Sequence, residues 1–264
     1  MSVLARRDSL AAFNSWNHEH GAPYGHSPGC AFSPLASLTE HELRRRGPFA
    51  VQPNNSTREF EYPWAYHAAH IASGLKILEI GGGLSGFQFV LGQSGCAVVN
   101  VDPGMGSGCF GEGCDETSIQ KMNASFGTRV ELRRCTIEHA NLTPEAYDRA
   151  FSISVLEHLP DKEAADVMKG VHACLKPGGL FVLTVDLFLD LAPFTPRQIN
   201  QFGKNVDLSY LSAVAPFERV IGRADELHGF REFARDAILR ERDRFVLGRF
   251  HPVLVQCLVL RKKE

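Results

Sequence analysis

The 264-residue sequence lacks the features that mark several protein classes. Its seven cysteines are odd in number and form no Cys-x-x-Cys pair, which argues against a disulfide framework or a zinc ribbon. Lys and Arg number 28 against 30 Asp and Glu, so no overall positive charge favours nucleic acid. No stretch approaches the roughly 20 apolar residues of a membrane span, and no signal-peptide core is evident. We therefore expect a cytoplasmic protein that binds neither nucleic acid nor membrane.

The character of the sequence changes near residue 74. Residues 1–73 are rich in His, Pro, Gly and aromatic residues, and we expect them to form an N-terminal cap or lid with a short helix at 64–73. This part contains a group of possible metal ligands, but their spacing matches no common zinc site, so no metal is expected. The group consists of His18, His20, His26 and Cys30.

From residue 74 onward, short β-branched runs alternate with helical segments, which is typical of βαβ units and a mostly parallel sheet. We predict strands at 76–80, 97–101, 129–134, 150–155 and 180–185, and helices at 85–94, 115–125 and 161–175. A polar segment, 186–243, is expected to be a lid insertion with helical character. The last runs, 244–250 and 253–261, predict an antiparallel hairpin around His251-Pro252. The expected fold is α/β, with a doubly wound, mostly parallel seven-strand sheet whose last strand is reversed.

The sharpest motif is EIGGGLSG at residues 79–86, between a predicted strand and a predicted helix. Gly81, Gly83 and Gly86 fit Gly-x-Gly-x-x-Gly, and Asp102 ends the next strand 21 positions after Gly81. Such a loop suits a dinucleotide or S-adenosylmethionine. Glu79 favours the second, because a carboxylate repels a pyrophosphate but attracts an ammonium or a sulfonium. The reversed last strand also argues against a dinucleotide domain.

These motifs resemble those of the class I S-adenosylmethionine-dependent methyltransferases. The acid-x-Gly-x-Gly loop of that family matches residues 79–83, although Ser85 stands where the family has a further glycine. The acid after its second strand matches Asp102, and its later motifs resemble Val155 to Pro160 and Lys176 to Gly179. The resemblance covers about residues 74–185 and the closing hairpin.

The resemblance implies that S-adenosylmethionine is the cofactor and that its methyl group passes to an O or N atom of a small-molecule acceptor. Thr136 stands where the family often carries an acid that binds adenine, so a hydroxyl or backbone amides would take that role. The cofactor-binding residues implied are Glu79, Gly81, Gly82, Gly83, Ser85, Asp102, Pro103, Thr136, Ile137, Ser154 and Val155.

An acceptor hydroxyl or amine can require a base, and two histidines are the predicted catalytic residues. His158 follows the fourth core strand, at the edge where open α/β sheets bind ligands, and His228 lies in the insertion. A structural or solvated role stays open for both. The predicted substrate-binding residues are aromatic, although core packing would equally explain them. They are Tyr62, Trp64, Tyr210 and Phe230.

Two other functions stay open. An NAD(P)-dependent oxidoreductase could use a similar sheet, but the sequence has no Tyr-x-x-x-Lys pair. A non-catalytic module could bind S-adenosylmethionine without turnover. Methylation of exocyclic amines of nucleobases is disfavoured, because no Asn- or Asp-Pro-Pro-aromatic motif follows the fourth strand.

Overall fold

The computed structural model describes residues 2–22, 33–52, 56–104 and 114–263. The helices are α1 (Ala11–His20), α2 (Glu40–Arg46), α3 (Arg58–Ala68), α4 (Gly86–Gln93), α5 (Glu116–Phe126), α6 (Asp161–Cys174), α7 (Leu208–Ala213) and α8 (Arg235–Glu241). The strands are β1 (Val3–Leu4), β2 (Lys76–Ile80), β3 (Ala97–Val101), β4 (Glu131–Arg133), β5 (Tyr147–Ile153), β6 (Leu175–Phe188), β7 (Ile199–Asn200), β8 (Gly203–Lys204), β9 (Phe217–Ile221), β10 (Phe245–Leu247) and β11 (His251–Lys262).

A central sheet, in the order β1-β11-β6-β5-β2-β3-β4, organises the described part of the chain. Strands β4, β3, β2, β5 and β6 are parallel, and β11 runs antiparallel to β6. The outer edge of β11 is shared by β10, β1 and β9, each antiparallel to it at a different level. The predicted α/β fold with a reversed last strand is therefore confirmed.

The sheet is covered on both faces, as parallel sheets require. Successive side chains of β6 point to opposite faces, so Val182 and Phe188 join the core beneath α3 and α4. Leu183 and Val185 join the core beneath α6 and α7. No helix in the described ranges is long and apolar enough to cross a bilayer.

The N-terminal part contains more regular structure than the sequence predicted. The predicted helix at 64–73 is misplaced, since α3 spans Arg58–Ala68. Pro63 stands inside this helix, where proline is unfavourable, so the pattern indicated a later start. The two residues of β1 pair with β11 and so join the sheet rather than a separate lid.

Other predicted boundaries also shift. Strand β5 ends at Ile153, not at 155, and β6 extends on both sides of the predicted 180–185. The closing hairpin is confirmed, but Leu247 pairs with His251, so residues 248–250 form its turn instead of His251-Pro252. The predicted insertion also overlaps the sheet, because its first residues complete β6 and β9 pairs with β11.

Candidate functional site

The first two glycines of the loop after β2 leave no room for side chains. Gly81 has φ +68°, and a Cβ on it would lie 2.8 Å from both Cγ atoms of Val155. A Cβ on Gly82 would lie 2.9 Å from the carboxyl carbon of Glu79. Glycine is needed here both for the left-handed backbone and for this close packing. The loop therefore keeps its backbone accessible to a ligand at the carboxyl end of the sheet.

Polar side chains at the end of β3 hold the loop. The amide N–H groups of Gly82 and Gly83 donate to Asn100 Oδ1 at 3.1 Å and Asp102 Oδ2 at 2.8 Å. The Asn100 amide donates in turn to the carbonyl oxygen of Gly83 and to Gln88 Oε1. Sequence analysis missed Asn100, whose only signal was a polar residue within the apolar run of β3.

The start of α4 is also bound from two sides. Ser85, predicted to contact the cofactor, caps the helix by accepting the Phe87 N–H at 3.0 Å. Gln52 Oε1 accepts the Gly86 N–H at 3.1 Å, and its amide donates to the Tyr62 hydroxyl. Tyr62 is buried and stacks on Phe87 at 5.5 Å. The structure thus brings Tyr62 to the glycine loop.

Glu79 is a buried carboxyl group beneath this loop, with 2% of its surface exposed. Its Oε2 atom has no hydrogen-bond partner among the described residues. Burial, together with the nearby charge of Asp102, raises the pKa of Glu79 to about 8. A buried oxygen without a partner is costly, and a donor or cation bound beside it would relieve that cost. This atom fits the ammonium-bearing end of S-adenosylmethionine.

Asp102 lies at the other side of the loop, half-buried at the end of β3. Its two oxygens accept the N–H groups of Gly83 and Gly104, the second at 2.7 Å. Each carboxylate oxygen has a second lone pair, so this group can still accept from two ribose hydroxyls. Pro103, which follows, is exposed.

The residues predicted for the adenine side lie beyond β4. Thr136 is exposed and its hydroxyl contacts His139 Nδ1 at 2.9 Å. Ile137 packs against α6, where a Cβ on Gly170 would lie 2.7 Å from its Cδ1 atom. Their contact with adenine stays a prediction.

After β5 the chain turns sharply. Ser154 has φ +48°, and its hydroxyl donates to Glu61 Oε1 at 2.5 Å, so its side chain points into the protein. Val155 packs behind Gly81. His158 ends the following 3₁₀ turn and is exposed. His158, the first of the two predicted bases, therefore lies at this edge of the sheet.

The other predicted acceptor-side residues are spread over several elements. His228 Nδ1 contacts the carbonyl oxygen of Val206 at 2.9 Å. Phe230 packs under the Arg219 guanidinium, on β9, which pairs with the far end of β11. Tyr210 lies on α7 with 53% of its surface exposed, whereas Trp64 is buried on α3.

A buried group of charged residues lies next to the turn after β5, and sequence analysis did not assign it to the site. Glu157 Oε1 accepts the backbone N–H of Asp186 at 3.1 Å. The second oxygen of each, Glu157 Oε2 and Asp186 Oδ1, has no hydrogen-bond partner in the described residues. Burial raises the pKa of both carboxyl groups, and for Asp186 the neighbouring acids add to it. Glu61, paired with Arg58, completes the group.

Another pair, which the sequence analysis did not assign to the site, lies where β11 begins. His251 Nδ1 contacts Asp190 Oδ2 at 2.9 Å, and the ring of Phe202 packs edge-on against the imidazole at 5.0 Å. Of the possible metal ligands near the N-terminus, His18 and His20 lie in α1, whereas His26 and Cys30 lie outside the described residues. Among the described residues, no three His, Cys, Asp or Glu side chains are grouped to hold a metal.

Residues 78–183 match a family model described as a methyltransferase domain. The chain therefore contains a methyltransferase domain of the class I, S-adenosylmethionine-dependent kind. The matched region of this methyltransferase runs from β2 to β6 and contains the glycine loop, Asp102 and the turn after β5. The resemblance predicted from the motifs is thus confirmed, and with it S-adenosylmethionine as the cofactor.

Several curated relatives are named ubiquinone biosynthesis O-methyltransferase. That of Pseudomonas aeruginosa (strain LESB58) is 26% identical over 191 residues, which cover 71% of this chain and 70% of the relative. That of Aeromonas salmonicida (strain A449) is 28% identical over 116 residues, which cover 43% of this chain and 44% of the relative. The mitochondrial protein of Mus musculus is 29% identical over 128 residues, which cover 46% of this chain and 32% of the relative. The match therefore spans less than half the length of the last two relatives.

Solved structures share the fold of this methyltransferase over most of its length. The Burkholderia thailandensis 1,6-didemethyltoxoflavin-N1-methyltransferase, solved with that compound and S-adenosylhomocysteine, aligns with a TM-score of 0.54 at 16% identity. The alignment covers 99% of this chain and 95% of that one. The [4+2]-cyclase SpnF aligns with a TM-score of 0.52 at 14% identity, over 94% and 91%. At these identities the likeness shows the fold alone.

Proposed function

We propose that this protein transfers the methyl group of S-adenosylmethionine to an oxygen or nitrogen atom of a small-molecule acceptor. The observation that carries the proposal is the buried Glu79 oxygen, which has no partner among the described residues and lies directly beneath a glycine loop that faces Asp102. This arrangement suits a nucleoside that carries an ammonium and no phosphate. A dinucleotide would bring a pyrophosphate toward the same carboxyl group.

The residues would share the work of holding the cofactor. Glu79 would face the ammonium, the backbone of residues 81–83 would lie along the amino-acid part, and Asp102 would hold the ribose hydroxyls. The cofactor supplies an activated methyl group when bound. The protein aligns the acceptor with that group and keeps water away.

The acceptor would bind above the turn after β5 and the end of β6. His158 stays our proposed base, since it stands at this edge, next to the buried acids Glu157 and Asp186. His228 is the second candidate, although its Nδ1 atom is already bound to Val206. Of the lid expected from the sequence, we propose that α3, with Tyr62 and Trp64, covers the side of the glycine loop and that residues 189–205 cover the acceptor.

The names of the relatives suggest which acceptors to test first. A ubiquinone biosynthesis O-methyltransferase acts in the synthesis of a substituted quinone ring, so hydroxylated aromatic compounds are the first panel. The bound compound of the Burkholderia structure is a nitrogen acceptor by its name, so heteroaromatic amines form the second.

A binding experiment tests the cofactor. Purified protein is titrated with S-adenosylhomocysteine, S-adenosylmethionine and NADH while the melting temperature is followed. We expect the first two to stabilise the fold, by about 2.7 kcal/mol at a hundredfold excess over the dissociation constant. A shift with NADH alone would overturn the proposal in favour of an oxidoreductase.

A transfer experiment tests the reaction. Methyl-labelled S-adenosylmethionine is incubated with both acceptor panels, and the labelled products are separated and identified. We expect label on an oxygen or a nitrogen of one acceptor class. Tight cofactor binding without any transfer, across panels that include crude metabolite extracts, would favour the non-catalytic module instead.

We further propose that the protein works in the cytoplasm and on small molecules rather than on nucleic acid. The described cysteines are free thiols, which suits a reducing compartment. The net charge of −2 offers no general attraction to nucleic acid.

A further inference from the structure

Helix α3 reaches the sheet through Glu61, a fully buried side chain outside every motif of the sequence. Its Oε1 atom accepts hydrogen bonds from the hydroxyls of Ser154, at 2.5 Å, and Thr184, at 2.6 Å. Its Oε2 atom pairs with Arg58 on the same helix. Both oxygens are thus engaged inside the protein, so Glu61 is not available to take a proton from an acceptor.

Ser154 occupies a backbone conformation that residues with side chains rarely adopt. Its φ of +48° lies in the left-handed region, which costs energy for any residue other than glycine. Two contacts hold it there. Its N–H donates to the Thr184 carbonyl oxygen at 3.0 Å, and its hydroxyl is fixed by Glu61.

The turn at Ser154 forms one wall of the glycine loop. Val155 follows it, and the two Cγ atoms of Val155 occupy the space that a side chain on Gly81 would need. If Ser154 relaxed to a negative φ, the peptide that precedes Val155 would rotate and this contact would change. The shape of the loop therefore depends on the conformation of Ser154.

We propose that Glu61 is a positioning residue of the cofactor site, which holds Ser154 in the left-handed turn and so keeps Val155 against Gly81. This inference rests on the proposed function, because it concerns the site for the cofactor. Glu61 acts from a helix outside the matched domain, so α3 is part of the cofactor site and not only a cover over it.

A comparison of two substitutions at Ser154 tests the proposal. Ser154→Ala and Ser154→Gly both remove the hydroxyl that Glu61 holds, but only glycine adopts a positive φ without strain. We expect Ser154→Ala to weaken S-adenosylhomocysteine binding about tenfold and Ser154→Gly to stay within about threefold of the wild type in calorimetry. Equal affinity of the two variants would overturn the proposal.

A second comparison addresses Glu61 itself. Glu61→Ala should weaken binding about tenfold, and adding Ser154→Gly should restore most of the affinity, because the turn no longer needs the carboxylate. A merely structural role would not be rescued in this way. Glu59→Ala, an exposed position on the same helix, is the matched control and should bind as the wild type. If Glu61→Ala does not fold, Glu61→Gln takes its place, because it keeps one acceptor oxygen. The comparison of Ser154→Ala with Ser154→Gly tests the proposal in either case.

The two proposals fail differently. A wild-type protein that does not bind S-adenosylhomocysteine overturns the proposed function and this inference together. A wild-type protein that binds it, with Ser154→Ala binding equally well, overturns this inference alone.

Discussion

Two carboxyl groups face the glycine loop from different environments, and the difference determines what each can bind. Asp102 is half-buried, and its two oxygens accept backbone N–H groups of Gly83 and Gly104. Glu79 is buried, and one of its oxygens has no partner in the part of the chain that the structure describes, so its charged form is costly until a cation binds. Asp102 therefore shapes the loop in the free protein, whereas Glu79 is free to bind a ligand.

The first prediction concerns the stability cost of Glu79. Its pKa rises from 4.5 to about 8 on folding, so between these values the folded state binds more protons than the unfolded state. The free energy of unfolding therefore falls as pH rises through this window, by up to about 1.4 kcal/mol per pH unit. The Glu79→Gln side chain cannot titrate. In urea unfolding, the free energy of unfolding of this variant should therefore rise relative to that of the wild type between about pH 5.5 and 7.5. Parallel curves for the two proteins would contradict the burial of Glu79 as a neutral acid.

The second prediction concerns Asp102. Asp102→Ala removes the acceptor for the ribose hydroxyls and also the bond that holds Gly83, so S-adenosylhomocysteine binding should weaken by at least about 1.5–3 kcal/mol. Calorimetry measures the change. Asp207→Ala is the control, because it removes a carboxylate that also accepts a backbone N–H, from Tyr210, but at the start of α7 instead of at the glycine loop. An unchanged dissociation constant for Asp102→Ala would remove this residue from the site.

At the scale of elements, the sequence predicted what local patterns encode. The strand, glycine loop, helix and acid from 76 to 102 appear in order, and each is recognisable from a few neighbouring residues. Strands β1 and β9 were not predicted, because both depend on pairing with β11, more than 35 positions away in the chain. The role of Glu61 was not predicted from the sequence for the same reason. Its partners Ser154 and Thr184 lie 93 and 123 positions away, and no local pattern records such contacts.

The third prediction concerns β1, which joins the N-terminal segment to the sheet. Leu4 is fully buried and pairs with Val255, so Leu4→Ala should lower the free energy of unfolding by about 2–5 kcal/mol. Leu10 is 45% exposed, and Leu10→Ala should change the free energy of unfolding by no more than about 0.5 kcal/mol. Urea unfolding at one pH measures both. Equal effects would mean that the N-terminal strand is not part of the cooperative fold.

At the scale of the whole molecule, the predicted lid insertion divides into two regions. Residues 189–205 lie against the carboxyl edge of the sheet. The backbone of β8 approaches the turn after β5, where a Cβ on Gly203 would lie 2.8 Å from the carbonyl oxygen of Glu157. Residues 206–243 contain β9, which completes the sheet edge beside the far end of β11. The first region is therefore placed to cover an acceptor, and the second supports the fold.

The last prediction separates these two roles with one substitution in each region. Phe202 and Phe230 are both half-buried phenylalanines, so truncation to alanine removes a similar volume. Phe202 packs against His251 at the carboxyl edge, and Phe202→Ala should raise KM for the acceptor, or lower kcat, by about tenfold or more. The affinity of the Phe202→Ala variant for S-adenosylhomocysteine should stay within a few fold of the wild type, because the glycine loop lies under other elements.

Phe230 packs under Arg219, so Phe230→Ala should lower the melting temperature while both kinetic constants stay close to those of the wild type. The acceptor identified with the labelled methyl group serves in both assays. If Phe230→Ala lost acceptor turnover and Phe202→Ala did not, the acceptor would bind beneath the second region, and the role of residues 189–205 as its cover would be wrong.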